Sequence, residues 1–269
     1  ISPLIISRQL IRQDVPIMVL VSALAMWMTF DGSITRLEAV ILTLGLISYT
    51  WFLFRQGKAK GADTVDEEVE AMLKAKVPTW QNLLLLVGGL ILLVLGSRFL
   101  VDSAVEIARA FGVNEAVIGL TIIAAGTSLP EVVTSIVATI RGERDIAVGN
   151  VVGSNIFNIL CVLGISGLVS PIPLLAGEQM AMVDIPVMVG VAVLCVPLFF
   201  IGSVLNRIEG LLFMLLYIAY TWYLVAMALK ETYLPDLQQG ILYGLLPVVV
   251  LYVVASFIHD RIKNKQLPQ

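Results

Sequence analysis

Charge is what this chain is short of. Only 14% of its 269 residues are Asp, Glu, Lys or Arg, while 58% are hydrophobic; soluble domains carry about a quarter charged residues. With a mean hydropathy of +0.94, the balance excludes a soluble globular domain and leaves an integral membrane protein. Cysteine is scarce as well. Cys161 and Cys195 lie in apolar runs far apart in sequence, which argues against a disulfide framework or thiolate cluster and for small packing residues. The one histidine, His259, falls in the polar C-terminal tail. No cleavable signal peptide is visible, nothing points to nucleic acid, and the net charge of −3 identifies no partner because its sign alternates along the chain.

What is present is a series of apolar runs of about 17–25 residues, the length that crosses a bilayer as a helix. Eight spans are predicted: A at 15–30, B at 37–54, C at 82–108, D at 116–140, E at 146–169, F at 184–203, G at 208–229 and H at 240–258. With the N-terminus cytoplasmic, all but four of the 17 basic side chains fall in inside loops, the exceptions being Arg36, Arg109 and Lys230 outside and Arg98 within span C. Short loops rich in Lys and Arg stay inside, so both ends of this fragment are expected in the cytoplasm. The long polar loop 55–80 holds DTVDEEVEAMLKAK, in which Thr64 and Glu67 have capping-box spacing and acids precede lysines. It reads as a short solvated helix. At the outer end of span C, Arg98, Asp102 and Glu106 follow at intervals of four, the spacing of an ion-pair ladder.

An internal repeat organises the chain. The segment from Asp14, DVPIMVLVSALAMWMTFDGSITRLEAVILTLGLISYTWFL, matches that from Asp184, DIPVMVGVAVLCVPLFFIGSVLNRIEGLLFMLLYIAYTWYL, with Pro16/Pro186, Glu38/Glu209 and Trp51/Trp222 in register after one insertion. Spans A–B therefore recur as F–G. An odd number of spans separates the copies, so they face opposite ways, as in the inverted repeats of secondary transporters. The leader ISPLIISRQLIRQ is similar to VSPIPLLAGEQM of the E–F loop. On this pattern a first copy of C–D–E, of roughly 90–110 residues, is expected ahead of Ile1, in the same chain or in a separate subunit. The organisation is then the remainder of a first repeat (1–54), the cytoplasmic loop (55–80), a second repeat of five spans (81–230), and an extra C-terminal span with its tail (231–269).

The chemistry concentrates between Gly119 and Gly164, where spans D and E are interrupted by GTSLPE and GNVVGSNIFN. Glu131 is a carboxylate inside an apolar span, and such groups are costly unless functional. Pro130 lacks an N–H and frees a carbonyl; Gly126 makes local unwinding cheap. Counting about 1.5 Å per residue from a turn apex near Glu143 puts Glu131 level with Ser154 and Asn155, near the middle of a core about 30 Å thick. Asn150, Ser154 and Asn158 share one helix face. Small residues at Gly149 and Gly153 have an ordinary packing explanation, and Ser or Thr can bond their own helix; Glu131 has no such cheap explanation. Carboxylate, hydroxyl, amide and free carbonyl oxygens are hard ligands, suited to Na⁺ or Ca²⁺ rather than to zinc or copper. One carboxylate balances one Na⁺, whereas Ca²⁺ requires a second. An intramembrane hydrolase would want two facing acids or a Ser/His pair at depth, so no enzyme is expected.

GLTIIAAGTSLPEVVTS and GNVVGSNIFNIL resemble the second signature repeat of the cation/calcium exchanger superfamily, specifically its bacterial sodium/calcium exchanger-like (calcium/sodium antiporter) branch, and the similarity runs over essentially the whole chain. The resemblance implies an all-α polytopic membrane fold of two inverted five-span halves, lacking here the first three spans. It implies exchange of Ca²⁺ against Na⁺ by alternating access across a bacterial inner membrane, with these ions as cargo and no cofactor. Carried over by motif position, Glu131 is a shared Ca²⁺/Na⁺ ligand. Thr127 and Ser128 supply side-chain or carbonyl oxygens, the Ala124 carbonyl serves a Na⁺ site, and Ser154 and Asn158 are the partners from span E. The Asn158 position is Asp in potassium-dependent relatives, so its Asn implies no K⁺ requirement. Span H lies beyond the family core. Coupling to H⁺ instead of Na⁺, and an incomplete half that needs a partner, are the competing readings.

Overall fold

The computed structural model describes residues 4–7, 9–60, 78–200 and 204–266. The acidic helix read around Thr64 and Glu67 lies outside them, as does the His259 side chain. Apolar runs become helices because a chain in lipid must satisfy every backbone polar group within itself. The principal helices are α1 (Leu10–Asp31), α2 (Arg36–Lys60), α3 (Thr79–Ala110), α4 (Glu115–Thr127), α5 (Leu129–Arg141), α6 (Arg144–Val169), α7 (Met180–Phe200), α8 (Arg207–Ala228) and α9 (Leu234–Ile258). Among the described residues, seven helices are long and apolar enough to cross a membrane, and eight when the bent pair α4–α5 counts as one span. Those eight are the spans A to H. The protein is an all-α polytopic membrane protein, and much of its large apolar surface faces outward, as Leu85, Leu92 and Phe99 do on α3.

The repeat is visible element by element. Each copy opens with a two-residue strand, β1 (Leu4–Ile5) or β3 (Leu174–Leu175), then a π-helical turn ending in an aspartate, Leu10–Asp14 or Met180–Asp184. The strands after the first span of each copy are β2 (Ser33–Ile34) and β4 (Val204–Leu205). Pairing is reciprocal: β1 runs antiparallel to β4 and β2 antiparallel to β3. The leader of one copy thus clasps the turn of the other. The helix that follows is capped alike in both. In α2 the Glu38 carboxylate accepts from the Thr35 N–H and hydroxyl, both at 2.8 Å. In α8 Asn206 and Glu209 form a full capping box, with Glu209 Oε2 accepting from the Asn206 N–H at 2.7 Å.

The chain divides into two compact units. The first comprises Ile1–Val19, Gly96–Gly153 and Gly190–Gln269. In it, Val105 and Ala108 of α3 pack on Ile118 of α4, with Val101 and Ile122 around them, and α8 packs on the start of α4 and of α9. The second comprises Leu20–Leu95 and Ser154–Val189, and its core is α2 lying along the C-terminal half of α6, with Ala39 and Leu42 fully buried. Arg36 closes one end of that unit by donating to the Ser170 carbonyl at 3.0 Å. Both cysteines are free and half-buried.

The charged ladder expected on α3 does not form. Among the described residues the ion pair at this end is not Arg98 with Asp102; Arg109 makes a bidentate pair with Glu115 across the α3–α4 turn, at 2.7 and 2.9 Å. The planar guanidinium fork matches a carboxylate presented face-on, which the tight turn through Gly112 allows.

Candidate cation site

The predicted break in span D is real, and it falls at Ser128. Helix α4 ends at Thr127, Ser128 leaves helical geometry (φ −95°, ψ 2°), and α5 starts at Leu129 with Pro130 in its first turn, bent by 45° from α4. Proline is tolerated there because first-turn N–H groups have no intrahelical partner anyway. The Ser128 N–H turns back to the Ala125 carbonyl at 3.2 Å. Gly126 is required, but not for backbone freedom: its φ is ordinary, and a Cβ there would meet Val101 Cγ2 at 2.2 Å. The absent side chain lets α3 press against the end of α4.

The break puts two half-helix ends next to each other. Carbonyl oxygens at the C-terminal end of α4 carry partial negative charge, and the N-terminal end of α5 favours an anion. Glu131 sits in the first turn of α5, where that end stabilises its carboxylate. It is half-buried, and its Oε2 is buried without a hydrogen-bond partner among the described residues. A buried carboxylate oxygen left unpaired is expensive. The neighbouring oxygens are Ala124, Thr127 and Ser128, all exposed. The Thr127 hydroxyl donates to the Ala124 carbonyl at 2.9 Å, which uses its proton inward and leaves its oxygen lone pairs free to coordinate a cation. Thr121, Thr134 and Thr139 bond their own helices in the ordinary way, to Val117, Pro130 and Ser135 carbonyls.

The α5–α6 hairpin turns on Gly142 and Glu143 alone. Gly142 takes the left-handed conformation (φ 86°) and the Glu143 N–H caps the Ala138 carbonyl at 2.9 Å, so α6 starts at once. This brings Asn150 against Glu131: Asn150 Nδ2 donates to the Glu131 carbonyl and to Ser135 Oγ, both at 3.0 Å, and Ser135 Oγ donates to the Ala147 carbonyl at 3.3 Å. Asn150 thus meets α5 between Ser135 and the loop-facing carbonyl of Glu131, one helical turn nearer the loop than Ser154. Asn150 was legible as one of three polar residues on a shared face, but its partner was not. Helix α6 continues into the second unit with half-buried Ser154, and exposed Asn158 opens its π-helical segment Asn158–Leu163. Among the described residues no group of three or more His, Cys, Asp or Glu side chains could hold a metal ion.

A discontinuous membrane helix with an unpaired carboxylate at the break, within a repeated helical scaffold, defines a transporter of the inverted-repeat exchanger class. Residues 81–226 match the sodium/calcium exchanger protein family. The chain is 36% identical to CaxA of Alkalimonas amylolytica over 83% of its own length and 71% of that protein's. It is 37% identical to the inner membrane protein YrbG of Escherichia coli (strain K12) over 64% of its own length, spanning about half (54%) of that relative. Among solved structures, the sodium-calcium exchanger NCX_Mj superposes with a TM-score of 0.63 at 31% identity, over 84% of this chain and 68% of that one. The chain belongs to the sodium/calcium exchanger protein family, a family of membrane transporters rather than enzymes.

Proposed function

We propose that this chain carries half of the cation site of an antiporter that exchanges Ca²⁺ for Na⁺ across a bacterial inner membrane by alternating access. The observation that carries the reading is the buried, unpartnered Oε2 of Glu131 at the α4–α5 break, where helix-end carbonyls and the Thr127 and Ser128 oxygens converge in sequence. Glu131 is the charged ligand to both ions; Thr127 and Ser128 contribute oxygens, the Ala124 carbonyl serves Na⁺, and Ser154 and Asn158 of α6 complete this half. One carboxylate neutralises one Na⁺. Ca²⁺ requires a second, supplied by the matching signature of the other repeat in the same polypeptide or in a separate subunit. Sites occupied and neutralised let the helices of the A and F spans slide past the polar hairpin, while an empty pair of carboxylates resists the move; that asymmetry enforces exchange over leak. The inside-rich Lys and Arg support both ends of this stretch being cytoplasmic.

Glu131→Gln keeps size and removes charge. In membrane vesicles bearing the full-length gene product, Na⁺-driven ⁴⁵Ca²⁺ uptake is expected to fall to background with protein levels unchanged. Uptake at the wild-type rate would refute Glu131 as the ligand.

A further inference from the structure

The polar tie between α5 and α6 does more than hold two helices together. A carbonyl inside a continuous helix already has its own partner four residues on, so the Glu131 carbonyl needs nothing from Asn150. Helix pairs in membranes also associate through small residues without polar help, and Gly149 and Gly153 are available on α6. Yet the Asn150 amide spends both protons here, one on the Glu131 carbonyl and one on Ser135 Oγ, each at 3.0 Å, and Ser135 passes its own proton to Ala147 at 3.3 Å. The result is a closed brace from α6 to the first two turns of α5. It acts where α5 lacks other guidance: the bend at Ser128 interrupts the helical ladder, so α4 does not dictate how α5 is rotated about its axis. Rotation of α5 is what decides where the Glu131 carboxylate points.

We propose that Asn150, with Ser135, is a positioning residue that sets the direction of the Glu131 carboxylate and thereby the cation affinity of the site. The proposal rests on Glu131 being a cation ligand. Outer partners of metal ligands typically affect affinity by about 10–100-fold, and the brace belongs to that kind because it fixes the ligand's backbone without touching the ion.

The test measures ⁴⁵Ca²⁺ exchange by the full-length protein in vesicles as a function of Na⁺ and of Ca²⁺, with rates normalised to protein amount. Asn150→Ala and Ser135→Ala are expected to raise the half-saturating concentrations by about ten-fold or more, and Ser135→Thr, which keeps the hydroxyl, to stay near wild type. A purely structural tie predicts the opposite split: less protein or a lower maximal rate with half-saturation unchanged, and that result would overturn the proposal. If Asn150→Ala does not accumulate, Ser135→Ala decides, since it deletes one oxygen from a helix-compatible position. Glu131→Gln run alongside separates the two levels of inference. Loss of exchange in Glu131→Gln with unshifted half-saturation in Ser135→Ala sinks the brace and spares the ligand; wild-type half-saturation in Glu131→Gln removes the ligand and the brace with it.

Discussion

At Gly126 the demand is for space. The α3 helix approaches so closely that a methyl group there would lie 2.2 Å from Val101 Cγ2, well inside contact distance. Gly126→Ala should therefore destabilise the protein by about 1–3 kcal/mol, the usual penalty of overpacking, and lower the thermal midpoint in detergent. Val101→Ala in the same chain should recover part of the loss, so that the double variant is more stable than the sum of the singles. Strict additivity would mean that the two residues do not touch. Glu131 stands at the same break for an electrostatic reason: its charge lies at the favourable end of α5, and its unpaired oxygen asks for a positive partner.

Single helices show how a repeated sequence yields repeated chemistry. Thr35–Glu38 and Asn206–Glu209 both cap the second helix of their copy with reciprocal side-chain-to-backbone bonds, the Glu38 N–H reaching Thr35 Oγ1 at 3.4 Å. Glu209 is fully buried and keeps one oxygen unpartnered among the described residues, so its cap must hold it in place. Asn206→Ala should cost about 1 kcal/mol and speed amide hydrogen exchange at Ile208 and Glu209, whose N–H groups both bond Asn206 at 2.9 Å. Unchanged exchange there would show the cap to be idle. Asn206→Ser should restore protection, because serine accepts from the same donors.

Across the whole molecule, reciprocal clasps tie each copy's leader to the other's turn. Coupling is a property at this scale. Vesicles loaded with Na⁺ should accumulate ⁴⁵Ca²⁺ when the outward Na⁺ gradient is imposed, and collapsing the pH gradient should leave the rate unaltered. Accumulation that follows the pH gradient instead would reassign the coupling ion to H⁺. Membrane crossing, span number and the polar break were all legible beforehand, because lipid imposes one period and one length on any apolar run and makes a buried carboxylate conspicuous. The repeat was legible from the self-similarity of the sequence alone.

By itself, then, the order of residues determined the membrane, the eight spans, the doubled A–B and F–G units and Glu131 as the residue to watch, since each follows from interactions within one helix or from the solvent around it. Only the folded chain decided that Gly126 serves Val101, that Arg109 pairs with Glu115 across a turn, and that Asn150 is the residue braced against Glu131. Those three depend on how far one helix slides and rotates against another. Such freedom is settled by side-chain packing between distant segments, and no local spacing encodes it.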